Sequence, residues 1–190
     1  AFLSDDELLI ADSGLDGGDL LARATWEDAA MGSVVAFSRG GQRHVVRDGF
    51  HAPAGLCVDP SGRILVTEME RACIRDVKSG AVLKSGLPGY AARLTRRPGG
   101  YLLSCLARRD PLIEFLKTED AFVREMKTTI APEHWIAPRI DPMFSHDQPI
   151  EMGATRLFGE VKAWAPSFSY GLVIELDDDL TPIGSLQSRA

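Results

Sequence analysis

The groups in this chain best suited to acid–base chemistry are Glu68 and His51. His51 lies in the loop step His51-Ala52-Pro53 that leads into an apolar run, and Glu68 closes another such run, Arg63-Ile64-Leu65-Val66-Thr67-Glu68, next to Met69. A carboxylate at a strand end can exchange a proton with a substrate, and an imidazole near its unperturbed pKa of about 6.5 can shuttle one at neutral pH. A lone loop histidine also commonly faces solvent with no chemical role, and that alternative stands beside the functional one. Other chemistries lack their residues. His44, His134 and His146 stand at no ligand spacing to one another or to a cysteine, so zinc has no support. There is no G-x-S-x-G elbow, no P-loop and no G-x-G-x-x-G. Cys57, Cys73 and Cys105 sit in apolar runs without a C-x-x-C step and are expected to be buried thiols that behave as small hydrophobes.

The elements that must position these groups are short β runs separated by turn dipeptides. Residues 6–12, 33–38, 43–47, 54–59, 63–69, 72–78 and 81–85 alternate or run apolar, with Gly40-Gly41, Ser61-Gly62 and Ser79-Gly80 between them. Such pairs supply the positive φ of tight hairpin turns, so the neighbours are expected to be antiparallel. The opening residues 1–12 read as one strand. A repeat emerges when the runs are aligned on their turns: Asp6–Asp12, Gly62–Glu68 and Gly99–Cys105 each pass from a turn into an apolar strand that ends small and polar. Residues 54–85 form a complete unit of four strands. Four-stranded antiparallel units recurring every 40 to 50 residues or so mark propeller blades. A β-sandwich fits the same strand spacing.

Two insertions break the rhythm. In the first, residues 14–32, Thr25 is expected to cap a helix whose first turn holds Glu27 and Asp28. In the second, residues 110–169, Asp110-Pro111 reads as cap and first helical residue, with Leu112, Ile113, Phe115 and Leu116 on one face. Phe122, Val123, Met126 and Ile130 then continue at helical spacing. The remainder is rich in Pro, Trp and Met. A long excursion in a regular β protein serves either as a lid or binding surface or only as a cover over the sheet ends. Trp135 and Trp164 are its aromatic candidates for contacting a substrate. After it, residues 170–177 and 181–187 resume the strand pattern and complete a third unit.

Composition narrows the partners. The chain has 190 residues, 45% hydrophobic and 25% charged, with three cysteines and a formal charge of -6. This is the composition of an ordinary soluble globular domain, not of a disordered chain or a disulfide scaffold. The scattered basic residues and acidic balance argue against nucleic acid, and no apolar run approaches the roughly 20 residues of a membrane span. Compartment is left open.

Three segments carry a family resemblance: Leu87-Pro88-Gly89-Tyr90-Ala91-Ala92-Arg93-Leu94, the strand pair from Ile64 to Ile74, and Tyr170-Gly171-Leu172-Val173-Ile174-Glu175-Leu176-Asp177 followed by Gly184-Ser185-Leu186. Together they resemble the strictosidine synthase-like branch of the six-bladed propellers, related to the gluconolactonase, regucalcin and paraoxonase group and including the adipocyte plasma-membrane-associated proteins. The resemblance covers nearly the whole chain. It implies a central channel in which a small organic substrate undergoes either calcium-assisted ester or lactone hydrolysis or metal-free amine–aldehyde condensation. It also implies that Tyr90 of the L-P-G-Y step contacts substrate. In the family the calcium ligands commonly come from an Asn in a P-N-G step and an Asp-Asn pair after L-P-G-Y-P. Here those steps read Pro53-Ala54-Gly55 and Ala91-Ala92-Arg93. Methyl groups replace oxygen ligands and a permanent guanidinium adds positive charge, so no calcium site of the usual kind is expected from this chain and no other cofactor is called for. Arg93 becomes a candidate anion anchor through a bidentate pair; pairing with Glu68 or Asp12 is its structural alternative.

Two function classes remain open. One is a strictosidine synthase-like or lactonase-like enzyme acting on a small molecule in a channel capped by residues 110–169. The other is a non-catalytic propeller module that binds a small anion or a protein partner. Without the second insertion about 130 residues remain, three blades at roughly 40 to 45 residues each. The chain is therefore expected to be a partial propeller, completed by further blades of a parent chain. By the resemblance, the family's catalytic glutamate belongs to those absent blades.

Overall fold

A computed structural model describes residues 1–15, 20–109, 111–135, 137, 156–157, 160–161 and 170–189. It is mostly β, built as three four-stranded antiparallel sheets. The first contains β1 (Phe2–Ser4), β2 (Glu7–Asp12), β3 (Gly32–Ser38) and β4 (Arg43–Phe50), with α1 (Leu20–Trp26) between β2 and β3. The second contains β5 (Pro53–Val58), β6 (Ile64–Glu68), β7 (Cys73–Asp76) and β8 (Val82–Lys84). The third begins with β9 (Gly89–Arg97) and β10 (Gly100–Arg108). Helices α2 (Pro111–Leu116) and α3 (Asp120–Thr129), a 3-10 turn (Pro132–His134) and a small hairpin of β11 (Arg156–Leu157) and β12 (Glu160–Val161) follow. Strands β13 (Tyr170–Leu176) and β14 (Pro182–Arg189) then complete the sheet. β10 pairs with β13 from Tyr101↔Leu176 to Cys105↔Leu172, so the insertion divides one sheet into two halves. All three sheets are meanders whose edge strands have, among the described residues, no second strand partner.

The repeat in the sequence corresponds to the second strand of each sheet: β2, β6 and β10. The turns behave as their residues dictate, with Gly41, Gly62 and Gly80 at φ 80°, 79° and 74°. Asp59 anchors the β5–β6 turn by accepting hydrogen bonds from the Ser61 amide at 2.9 Å and the Arg63 amide at 3.0 Å. The β13–β14 turn repeats the device, with Asp177 accepting from the Asp179 and Thr181 amides.

The second sheet is sandwiched between the other two. On β6, Ile64 and Val66 turn toward Leu9, Val34, Ala36 and Phe50 of the first sheet, whereas Leu65 joins Tyr101, Leu103, Ile174 and Leu176 of the third. Every residue of β6 is buried, which is why the segment runs apolar instead of alternating. At the junction of the second and third sheets the backbones nearly touch. A Cβ on Gly55 would stand 2.2 Å from the Ala92 carbonyl oxygen, and the Thr67 hydroxyl bridges the strands, accepting from the Gly55 amide at 2.7 Å and donating to the Ala92 carbonyl at 2.6 Å.

Three expectations need correction. Residues 1–12 form two strands separated by a turn, not one. Thr25 is not a helix N-cap: α1 begins at Leu20, because Leu20-Leu21-Ala22-Arg23-Ala24 are strong helix formers, and Thr25 lies in its last turn, donating to the Leu21 carbonyl at 2.8 Å. Glu27 and Asp28 accordingly follow the helix. In α2 the buried residue is Ile113, while Phe115 is exposed; a helix of under two turns is too short to bury all four apolar positions. The α3 face behaves as its spacing implies, with Met126 buried and Phe122, Val123 and Ile130 packed around it. Asp110, Trp164 and most of residues 138–169 lie outside the described residues.

Candidate functional site

Connections β2–β3, β6–β7 and β10–β13 each join the second and third strands of a sheet. Residues from these three connections, with His51 from β4–β5, enclose a polar pocket of about 380 Å³. α1 contributes Thr25 and Trp26, the β4–β5 connection His51, the β6–β7 turn Glu70 and Arg71, and the insertion Glu114, Lys117 and Val123; Arg109 enters from the end of β10. Tyr90, Ala24, Ala52, Met69 and Ala107, several of them sequence neighbours of the lining residues, form a small apolar cluster. Two of the connections hold non-glycine residues in the left-handed region, Ala52 at φ 42° and Ala72 at φ 46°. Each is strained by about 1–2 kcal/mol, the kind of cost that collects around functional sites.

Glu70 is the dominant group of the pocket. Its side chain is 2% exposed, and Lys117 Nζ, 2.8 Å from Oε2, is its ion-pair partner. Among the described residues the other oxygen, Oε1, is buried without a donor; the Thr25 hydroxyl lies near the carboxyl, but its proton goes to the Leu21 carbonyl. Burial is the largest influence on this carboxyl and raises its pKa, Lys117 and, more weakly, Thr25 counteracting only part of the shift. Glu114 experiences the opposite balance: burial would raise its pKa, but the hydrogen bond from Arg109 and the charge of Lys117 hold it below the ordinary value. Lys117 also lies 3.3 Å from Glu114 and 5.5 Å above the Tyr90 ring, and the Tyr90 hydroxyl donates to Glu114 at 3.4 Å. Arg109 pairs with Glu114 through Nη2, while its Nε is buried and unbonded.

His51 is buried and lines this pocket. Its Nε2 meets the Glu27 carbonyl oxygen. A carbonyl can only accept, so the neutral ring carries its proton on Nε2 and leaves Nδ1 as a lone-pair acceptor. Nδ1 is buried and has no hydrogen-bond partner among the described residues.

The other candidate residues are distributed as follows. Glu68 is close to His51, but through the His51 backbone amide, which donates to Oε1 at 2.7 Å. Its carboxylate is also paired with Arg75 at 2.9 Å and accepts from the Cys73 thiol at 3.3 Å, so both oxygens are engaged. Trp135 belongs to the apolar core of the helical insertion with Trp26, Ile113 and Met126, its indole donating to the Ile130 carbonyl at 2.9 Å. Arg93 is exposed on β9, has no ion pair among the described residues, and lines a different cavity of about 640 Å³ with Ala54 and Gly55. The Pro53-Ala54-Gly55 and Ala91-Ala92-Arg93 steps are thus side by side, but they do not fit calcium. They present methyl groups and a guanidinium, and the Ala92 carbonyl already accepts from Thr67. Among the described residues no cluster of three or more His, Cys, Asp or Glu is arranged to hold a metal ion, and no helix is long and apolar enough to cross a membrane.

Glu70, Arg109, Glu114 and Lys117 were not apparent from the sequence. Glu70 follows Glu68 by two residues in a turn, where a carboxylate is ordinarily solvated; its burial depends on Lys117, 47 residues further on. Compared with family models and with curated proteins, the chain matches none.

Proposed function

We propose that the chain is part of a strictosidine synthase-like six-bladed propeller enzyme that acts on a small organic substrate by ester or lactone hydrolysis or amine–aldehyde condensation. In this reading its acid–base site is the pocket under the helical insertion. The observation that carries this reading is Glu70, a buried carboxyl with a raised pKa and one oxygen without a donor among the described residues, on the wall of a pocket that also holds the lone pair of His51 Nδ1. A carboxyl whose pKa is raised by burial holds its proton more readily than a solvated one and is suited to acid–base exchange. Lys117 and Arg109 supply positive charge for an oxyanion that develops beside it. In this assignment Glu70 takes the role first sought at Glu68, and His51 keeps its own as proton acceptor.

The propeller reading is supported by the outward face of the first sheet. Register places Phe2, Leu8 and Phe37 in one cross-strand row and Ile10, Val35 and Val45 in the next. Phe2, Ile10 and Val45 are 73%, 41% and 53% exposed, while Val35 between the last two is buried. An apolar sheet face of this kind is what a further blade would cover.

Hydrolysis of aryl esters and lactones, with and without added calcium, tests the proposal in the complete parent protein. Turnover that is lost in Glu70→Gln and indifferent to calcium is expected; absence of turnover, or full turnover in Glu70→Gln, refutes it. The second reading, a non-catalytic module that binds small anions, is favoured by the exposed guanidinium of Arg93, which has no ion pair among the described residues. It predicts phosphate or carboxylate binding that Arg93→Ala abolishes.

A further inference from the structure

We infer that the pocket under the insertion is built for one class of ligand: a small carboxylate that carries a hydroxyl or amino group next to the carboxylate and an apolar substituent. This inference rests on the reading of that pocket as the functional site and adds the chemistry of what it takes. Among the described residues two buried wall atoms are acceptors without donors, His51 Nδ1 and Glu70 Oε1. An unmet buried acceptor is costly, and a hydroxyl or ammonium group from a ligand removes that cost. The same wall offers donors. Arg109 Nε is buried and unbonded. Among the described residues Arg71 is held by Asp28 alone, at 3.3 Å, with the two side chains 51% and 91% exposed. So exposed a pair is worth little and exchanges readily, which leaves Arg71 available to a ligand carboxylate. Trp26 and Val123 supply the apolar wall. A volume of about 380 Å³ falls in the range of small-molecule sites and leaves room for a substituent the size of a phenyl ring.

Four probes separate the parts of this inference: 3-phenyllactate and phenylalanine carry both polar groups, 3-phenylpropionate lacks the donor, and phenethylamine lacks the carboxylate. Titration calorimetry on the full chain is expected to show phenyllactate or phenylalanine binding at least tenfold more tightly than both truncated probes, the equivalent of one charge-assisted hydrogen bond. Arg71→Ala should lower affinity for the intact probe about tenfold or more and leave phenethylamine unchanged. Arg71 is largely at the surface, so this variant keeps the test open where Glu70→Gln loses the fold. Equal binding of phenylpropionate or phenethylamine overturns the inference, as does insensitivity to Arg71→Ala. Glu70-dependent ester turnover with no binding of any probe would overturn the ligand class and leave the enzyme reading intact. Selective binding without turnover would do the reverse.

Discussion

Removing the cation from the Glu68–Arg75 pair tests whether Glu68 is a structural clamp. The pair is 2.9 Å apart with side chains 6% and 20% exposed. At an effective dielectric of 20 the gross attraction at that distance is about 6 kcal/mol. The net value is smaller, because both charges have been taken from water, but stranding one partner costs about 3–5 kcal/mol. Arg75→Met does this: Glu68 retains only the His51 amide and the Cys73 thiol as donors. Glu68→Gln is milder. The amide oxygen still accepts from His51, and Arg75 keeps the carbonyls of Gly49 at 3.3 Å and Gly80 at 2.9 Å and its place over the Phe50 ring at 4.9 Å. Its expected cost is about 1–2 kcal/mol. The double variant should then be more stable than Arg75→Met alone, since neutralising the stranded carboxylate removes most of the penalty. Urea denaturation gives the three values, and thermal melting should place Arg75→Met roughly 10 °C below the parent. Equal costs for the two single variants, or a double variant less stable than Arg75→Met, would refute the clamp.

Three further outcomes follow from local geometry. At Asp59 burial favours the neutral acid, but the hydrogen bonds from Ser61 and Arg63 outweigh it and depress the pKa. Its stabilisation is therefore present above the unfolded value of about 3.9 and disappears as pH falls through the lower folded value. Asp59→Asn should cost about 1–3 kcal/mol at neutral pH and converge on the parent in acid, as read from denaturation midpoints against pH; a constant difference at all pH values would contradict this. Gly55→Ala forces a methyl against the Ala92 carbonyl and should lower stability by about 1–3 kcal/mol, measured by melting, whereas an unchanged melt would mean that β5 and β9 are not in close contact. Burial pushes the thiols of Cys73 and Cys105 up to about 12, so neither should react with an aromatic disulfide reagent at pH 8 until the chain is unfolded; rapid native labelling of either would contradict their burial.

The β framework was legible where two independent signals coincide at a strand boundary, an alternating or continuous apolar run and a turn residue that permits positive φ; the β1–β2 turn, Asp5-Asp6, lacks the second and was missed. β6 illustrates the limit of the first signal. Its unbroken apolar run reports burial on both faces, but not which sheets provide it. The helices were less legible. A threonine followed by acidic residues has the form of an N-terminus, yet the chain around Thr25 ends a helix. Local helix propensity in Leu20–Ala24 sets the register, and the hydroxyl finds the Leu21 carbonyl instead of a free amide. His51 was found for its chemistry, although its buried position depends on Glu27, 24 residues away. Glu68 was recognised as a carboxylate at a strand end, whereas its engagement by Arg75 requires the pairing of β6 with β7.

Some of the groups that line the pocket, Glu70 and Lys117 among them, also fix the helical insertion to the sheets. Lys117 joins α2 to the β6–β7 turn through Glu70, and Lys127 joins α3 to the segment after α1 through Glu27 at 3.3 Å. Glu27 is the residue whose carbonyl orients His51. Ligand contact and attachment of the insertion therefore share atoms: a ligand that satisfies Glu70 Oε1 acts on the carboxylate whose other oxygen holds Lys117, and one that engages Arg109 acts on the partner of Glu114. By mass action, any molecule that binds this assembled pocket and not the detached insertion must stabilise the attached state. Occupancy of the pocket and attachment of α2 to the sheets are thus thermodynamically linked.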